Sequence, residues 1–338
     1  MKTIVFPHNV GILKLNSYIP QTRMKAEEIA KLAGLDKQTI VDSSGTFEKR
    51  VADKDEHPTN MAVYAAKDLL SQTKIMADDI DFIIYAGNAL YDYQFWSPAA
   101  KIQSELNAIH AFAFDINNGC TSALTGLFLA ANLLRSDSLN CGLILTSDTV
   151  SKFVNYKDVA NTPFFSASDG ANALIVKKNY SECCLVSAAL HSNGEYVDLC
   201  KIRAGGTREI NHQNTSTNFI EVDVNNKKMA KLINGGEFAD NYVKVIEHAL
   251  KAANINLNEV SFFLFNQVSK RVMNKVLASL NINDSRTLFT CEKFGHMTID
   301  TLFALENIIK ENKVQSGDYV VLAGAGIGFH WHACVVRI

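Results

Sequence analysis

One cysteine of this chain stands where a nucleophile is expected. In Phe112-Ala-Phe-Asp-Ile-Asn-Asn-Gly-Cys120-Thr-Ser-Ala-Leu-Thr-Gly-Leu127 a strand-like run ends at Asn117-Asn118-Gly119, and the cysteine follows at once. A helical pattern (Leu124, Leu127, Phe128, Ala131, Leu134) starts directly behind it. The amides and dipole of a helix start favour negative charge, so a thiol there is suited to nucleophilic attack. The plainer reading is a small buried hydrophobe, since free cysteines are often core residues. Among the histidines, His296 follows Gly295 ahead of another helical pattern, and His330 and His332 flank Trp331. Residues two apart on a strand share a face, so the last two could form a ligand pair, but no third ligand is evident. Packing or support from behind the site is the preferred reading for them.

The elements around these residues occur twice. A helical pattern from Ala62 to Lys74 runs into Ala77-Asp-Asp-Ile-Asp-Phe-Ile-Ile-Tyr85, an acidic turn and an apolar strand. The same order recurs from Tyr242 to Ala253 and through Leu257-Asn-Glu-Val-Ser-Phe-Phe-Leu-Phe265. Ile102-Gln-Ser-Glu-Leu-Asn107 then parallels Val276-Leu-Ala-Ser-Leu-Asn281, each followed by a further strand. Gly119-Cys120 and Gly295-His296 come next in their halves, and each leads through a helix to a core strand. Alternating strands and helices predict an α/β protein with mostly parallel sheets covered by helices. A duplicated unit predicts a pseudo-twofold axis that brings Cys120 and His296 together, with halves at 1–176 and 177–338. His296 is then the only ring able to exchange a proton beside Cys120. Two insertions interrupt the repeat. Asn16–Arg50 carries a helix at Lys25–Ala33 closed by Gly34, and Asn193–Lys231 holds loops and an irregular strand near Phe219–Val224. Both are expected to wall the site. Asp169, before Gly170, is read as holding a turn, and Glu292 and Glu306 as surface residues without a catalytic role.

Composition narrows the field. Over 338 residues the net charge is −2, so no electrostatic footprint for nucleic acid exists. No run of about 18 apolar residues predicts a membrane span. The first residues read as a strand rather than a signal peptide. Seven cysteines without paired spacing argue against a disulfide framework and for a reducing, cytoplasmic setting.

The motifs and their order resemble the β-ketoacyl-ACP synthase III group of the thiolase superfamily over nearly the whole chain. They are Asp115-Ile-Asn-Asn-Gly-Cys120, Ser168-Asp-Gly-Ala171, Leu190-His-Ser-Asn-Gly194 and the closing Gly324-Ala-Gly-Ile-Gly-Phe-His-Trp331. The resemblance implies a thiolase-like five-layer αβαβα fold, a homodimer, no cofactor or metal, and an acyl group carried on Cys120. Where the family has a histidine, this chain has Asn266-Gln267. Where the family has an asparagine, it has Gly295-His296. Histidine and asparagine have traded places, which is read as a reconfigured site. The backbone N–H groups of Cys120 and Ile327 form the implied oxyanion hole, whatever the side chain at residue 327. For condensation, His296 and the Asn266 amide would stabilise an enolate.

The substrate side departs further from the family. The tryptophan and arginine positions that grip coenzyme A fall at Thr39, at Ser43 and near Asn161. Only Arg271, with Lys270 beside it, remains for a phosphopantetheine arm or an acidic carrier helix. These losses favour a carrier-protein-bound or secondary-metabolite substrate over an acetyl-CoA starter. The aromatic stretch Leu90-Tyr-Asp-Tyr-Gln-Phe95-Trp96, with Phe95 and Trp96 as contacts, is expected to bound the acyl pocket or an interface. Three activities fit. The first is decarboxylative Claisen condensation in fatty-acid-like, polyketide or other secondary-metabolite synthesis. The second is acyl transfer to a hydroxyl or amine. The third is an inert partner subunit of a heterodimeric synthase, against which Cys120 itself argues. Acyl-carrier-protein or coenzyme A thioesters are the expected partners.

Overall fold

The computed structural model describes residues 1–7, 9–210 and 218–338. Ten strands carry the fold: β1 (Lys2–Val5), β2 (Val10–Tyr18), β3 (Phe82–Gly87), β4 (Phe112–Asn117), β5 (Cys141–Thr149), β6 (Asp169–Lys178), β7 (Cys184–Ser192), β8 (Val260–Phe265), β9 (Tyr319–Gly326) and β10 (His330–Arg337). They pair in the order β8-β9-β10-β7-β2-β6-β5-β3-β4, with β1 on the other side of β7. The join between β7 and β2 is a single pair, Gly11 with Cys184. Two five-stranded halves therefore meet there: β4-β3-β5-β6-β2 and β8-β9-β10-β7-β1.

Six helices complete the layers: α1 (Pro58–Ser71), α2 (Pro98–Glu105), α3 (Ser122–Leu133), α4 (Glu237–Ala253), α5 (Lys270–Ser279) and α6 (Asp300–Lys310). The apolar faces of α3 and α6 share one core with both halves of the sheet, so these helices form the middle layer. Residues of α1 and α2 cover the outer face of the first half, and α4 and α5 that of the second. The result is the αβαβα sandwich the resemblance implies. All six residues of β3 are buried, as a parallel strand covered on both faces requires. The expectation of mostly parallel sheets fails: of the strand pairs among the described residues, only β3–β4, β3–β5 and β8–β9 are parallel, while pairs such as β9–β10, joined by a short turn, run antiparallel.

The repeat is visible in the pairing. β3, β5, β6 and β2 of the first half correspond to β8, β9, β10 and β7 of the second. Two features depart from it. β1 belongs to the first residues but pairs with β7, so it crosses the division expected at residue 176. The strand expected after Asn281 is absent, and side chains fill the place beside β8. Thr287 Oγ1 donates to the Phe263 carbonyl at 2.6 Å, and Gln267 Nε2 donates to the Leu288 carbonyl at 3.1 Å. Hydroxyl and amide groups thus satisfy backbone that β4 satisfies as a ladder in the first half.

The insertions differ in use. The helix Ala26–Ala33 ends at Gly34, whose φ of +66° closes it. With Lys37–Ser44 it packs into a small core of its own with Phe165 and Ile220. Glu221–Val222 pairs with Cys200–Lys201 and forms the irregular strand of the later insertion.

Candidate active site

Strand β4 delivers the chain to Cys120 through the tight turn Gly119–Thr121, which runs into α3. Strand β9 delivers it to Gly326, after which Ile327 begins the closing turn. These two turns lie backbone against backbone. Gly119 has φ +57°, and a Cβ there would stand 2.8 Å from the Ile327 carbonyl oxygen. A Cβ on Gly326 would stand 2.6 Å from the Cys120 amide nitrogen. Both positions need glycine because no side chain fits between the turns. Cys120 and Ile327 line the same cavity, of about 690 Å³.

His296 lies on that cavity with Cys120, close enough for the sulfur to raise the affinity of the ring for a proton. Its backbone is fixed against the first half: its amide donates to the Ser166 carbonyl at 2.7 Å, and its carbonyl accepts from the Ser168 amide at 2.8 Å. The duplicated turns therefore meet at the centre, as the repeat predicts. Behind the ring, Nδ1 lies 2.6 Å from Asp300 Oδ2. Asp300 is fully buried and opens α6. Its carboxylate also accepts from the Gln267 amide at 2.6 Å and the Met297 amide at 3.0 Å. Burial alone would pull the His296 ring down, but the Asp300 carboxylate and Cys120 outweigh it and hold the imidazole at about 10. Asp300 is not among the residues the sequence marks for the site. Its signal was a carboxylate four residues after the histidine, one helical turn away.

Asn266 takes a different place from the one expected. Its Oδ1 accepts from the Ala325 amide at 3.0 Å and from the Tyr242 hydroxyl. Its Nδ2 donates to the Ala325 carbonyl at 2.7 Å. The side-chain amide copies a strand residue and prolongs the β8–β9 ladder. Asn266 is buried and does not line the cavity, so it braces the closing turn instead of facing a substrate carbonyl.

Of the aromatic stretch, Leu90, Tyr91 and Gln94 line the cavity. Phe95 does not: its φ of +54° turns the loop outward, and the ring is fully exposed. Trp96 packs edge-on against Tyr93, also off the cavity. Lys270 Nζ is paired with Glu292 at 2.6 Å, while Arg271 is exposed at the start of α5. Neither lines the cavity. The later insertion supplies a wall through Val197, Cys200, Ile202 and Ile220, whereas Asn16–Arg50 supplies none. Asp169 behaves as read, accepting from the Ala52 amide at 2.8 Å and the Ser151 amide at 2.9 Å. Glu306 is buried on α6 rather than at the surface, bonded to Lys310. The sequence also gave no sign of Asp148, a buried carboxyl beneath Asn88 that burial pushes up to about 7.

Comparison with known proteins is decisive at this point. The profile of 3-oxoacyl-(acyl-carrier-protein) synthase III matches residues 114–194, and the profile of that family's C-terminal part matches residues 250–338, together half of the chain. The chain belongs to the 3-oxoacyl-(acyl-carrier-protein) synthase III family. This is a family of condensing acyltransferases, so the chain is an enzyme of the transferase class. It is 28% identical over 337 residues to beta-ketoacyl-(acyl-carrier-protein) synthase III of Natranaerobius thermophilus, covering 97% of this chain and 99% of the relative. The enzyme of the same name from Clostridioides difficile is 28% identical over 331 residues, covering 97% and 98%. The fold matches the crystal structure of 3-oxoacyl-(acyl-carrier-protein) synthase III from Aquifex aeolicus with a TM-score of 0.85 at 23% identity, over 97% of this chain and all of that one. Xanthomonas campestris OleA is also similar in fold, with a TM-score of 0.84 at 19% identity over 99% of this synthase-family chain and 100% of OleA. No helix among the described residues is long and apolar enough to cross a membrane.

Proposed function

We propose that this synthase III family member carries acyl groups as a thioester on Cys120 and passes them to a malonyl-type thioester by decarboxylative Claisen condensation. Fatty-acid-like, polyketide or related secondary-metabolite synthesis is the setting. The observation that carries the proposal is the line Cys120–His296–Asp300 at the wall of an open cavity. A protonated His296 donates from Nδ1 to Asp300 and from Nε2 to the Cys120 sulfur. The sulfur attacks the donor carbonyl, and a new carbon–sulfur bond forms. The negative oxygen is met by the amides of Cys120 and Ile327. As the donor's carbon–sulfur bond breaks, His296 gives its proton to the departing thiolate. In the second half-reaction the malonyl thioester loses carbon dioxide, and the electron pair of the broken bond forms an enolate. That carbon attacks the acyl group, the acyl carbon–sulfur bond breaks and returns the thiolate to Cys120, and His296 takes a proton from water to restore the starting pair. We read His296 and Asn266 as an exchanged pair relative to the family: His296 acts on the substrate, and Asn266 fixes the turn carrying Ile327.

The placement of Asn266 also favours a second reading. With its amide bonded to Ala325, His296 is left as the side-chain donor to an enolate, while a histidine backed by a carboxylate suits deprotonation of a hydroxyl or amine. Transfer to such an acceptor needs no decarboxylation.

Intact-protein mass spectrometry tests both. The protein is incubated with acyl-coenzyme A and acyl-carrier-protein thioesters, alongside Cys120→Ala, and then chased with malonyl thioester. An adduct that needs Cys120 and vanishes on the chase with release of carbon dioxide is the expected result. An adduct that persists on the chase but is discharged by an alcohol or amine supports the second reading. No adduct from any donor overturns both. Exposed Arg271 is the proposed contact for an acidic carrier helix or its phosphopantetheine.

A further inference from the structure

A second histidine, this one buried, stands behind the nucleophile turn, and the proposed reaction gives it no task. His332, on β10, is 4% exposed and faces α3. Its Nε2 lies 3.3 Å from Asn118 Nδ2, and its Nδ1 lies 3.2 Å from Thr125 Oγ1. The surrounding bonds favour one tautomer. The Thr125 hydroxyl donates to the Thr121 carbonyl at 3.0 Å, so its oxygen is left as an acceptor for the ring N–H at Nδ1. Nε2 then accepts from Asn118. A proton on Nε2 would set two donors against each other, so the network holds a neutral ring. Burial, reinforced by neighbouring His330, pushes His332 down to about 3, in the same direction.

Asn118 is the hub. Its Nδ2 also lies 2.8 Å from Thr125 Oγ1 and 3.1 Å from Thr121 Oγ1, so its two hydrogens are shared among these oxygens and His332 Nε2. The Thr121 hydroxyl donates to the Asn118 carbonyl at 2.7 Å, and the Asn118 amide donates to Ser122 Oγ at 2.8 Å. Cys120 lies between Asn118 and Thr121 in this braced turn, with Gly326 pressed on its amide from the other side.

We propose that His332 is a positioning residue: as a neutral ring bonded to Asn118 and Thr125, it fixes the turn that aims the Cys120 amide at the oxyanion. The proposal rests on acylation of Cys120. It also predicts a split between two reactions of the same sulfur. Acylation builds a tetrahedral oxyanion that needs the aimed amide, whereas alkylation by iodoacetamide displaces iodide at a saturated carbon and needs none.

The test compares both rates in the full-length protein, using p-nitrophenyl hexanoate for acylation, with adduct formation followed by intact mass. His332→Leu is expected to slow acylation by about 10- to 100-fold, below the loss of a whole oxyanion donor, and to leave alkylation within about twofold. His332→Gln, whose amide can both donate to Thr125 and accept from Asn118, is expected to restore most of the acylation rate. Thr125→Val removes one arm of the network and serves as the second variant where His332→Leu does not fold. Its acylation is expected to fall while its alkylation holds. Unchanged acylation in the folded variants, or an equal fall in both reactions, overturns the proposal. Alkylation without acylation of the parent protein overturns the acyl-enzyme reading of Cys120, and this role of His332 with it.

Discussion

Two histidines flank the Cys120 turn, His296 on the cavity wall and His332 buried, and they sit at opposite ends of the protonation scale. His296 meets the sulfur side and is backed by a carboxylate 2.6 Å away. His332 meets the backbone side and is surrounded by an amide and a hydroxyl. Burial disfavours the charged ring at both places. What separates them is the partner: an anion beside His296 reverses the effect of burial, and neutral partners beside His332 leave it intact. The lesson is that a histidine's place near a nucleophile does not assign it to proton transfer. The charge of its second contact does.

The comparison fails most completely without the sulfur. Cys120→Ala is expected to abolish the acyl adduct while the fold persists, since only one atom is lost, and circular dichroism with intact mass checks both. Next in size is Asp300→Asn, which removes the charge that sets His296 apart. Acylation is expected to fall by up to about 10⁴-fold, the loss found when a catalytic histidine loses its orienting carboxylate. A loss below about threefold, read in single-turnover acylation, would remove Asp300 from the mechanism.

Stability against pH gives a third, intermediate test, with opposite signs at the two rings. His296 is held above its unfolded value, so its contribution is fully present below about pH 6.5 and is lost as pH rises towards about 10. His332 is held below its unfolded value. Nothing is lost above about pH 6.5, but as pH falls towards about 3 the unfolded chain takes a proton that the folded one refuses. That slope is at most about 1.4 kcal/mol per pH unit. Chemical denaturation of parent and variant, compared across pH, is expected to show Asp300→Asn flattening the alkaline limb and His332→Gln flattening the acid one. The smallest effect is at Ile327. Its backbone N–H is the proposed donor, so Ile327→Ala is expected to change the acylation rate by less than about threefold, and a large loss would move the oxyanion donor elsewhere.

Much of this is legible in the residue pattern. The repeat of helix, acidic turn and apolar strand is a pattern of residue types, and it led to the two halves and to the meeting of Cys120 with His296. Orientation was harder. Asn266 was recognised by type, but the direction of its amide depends on where the β8–β9 ladder ends, which no single segment encodes. Asp300 was hidden because an acidic residue at a helix start reads as a normal first-turn residue. Phe95 has the type of a pocket residue, but its backbone turns it outward. The missing strand after Asn281 was unreadable for a related reason: Thr287 and Gln267 replace a ladder by side-chain bonds, and such bonds leave no periodicity.

The interlocked glycines carry one more consequence. Gly119 and Gly326 come from opposite halves of the sequence, and the Cys120 amide has its setting only when their two turns are pressed together. Contacts between segments so far apart are slow to form, because much chain must be ordered before they bring any gain. On the proposed reaction, a partly folded chain therefore holds the thiol without its oxyanion seat. The first acyl group to load would then signal that folding is complete, and a chain that stalls on the way would draw nothing from the acyl pool.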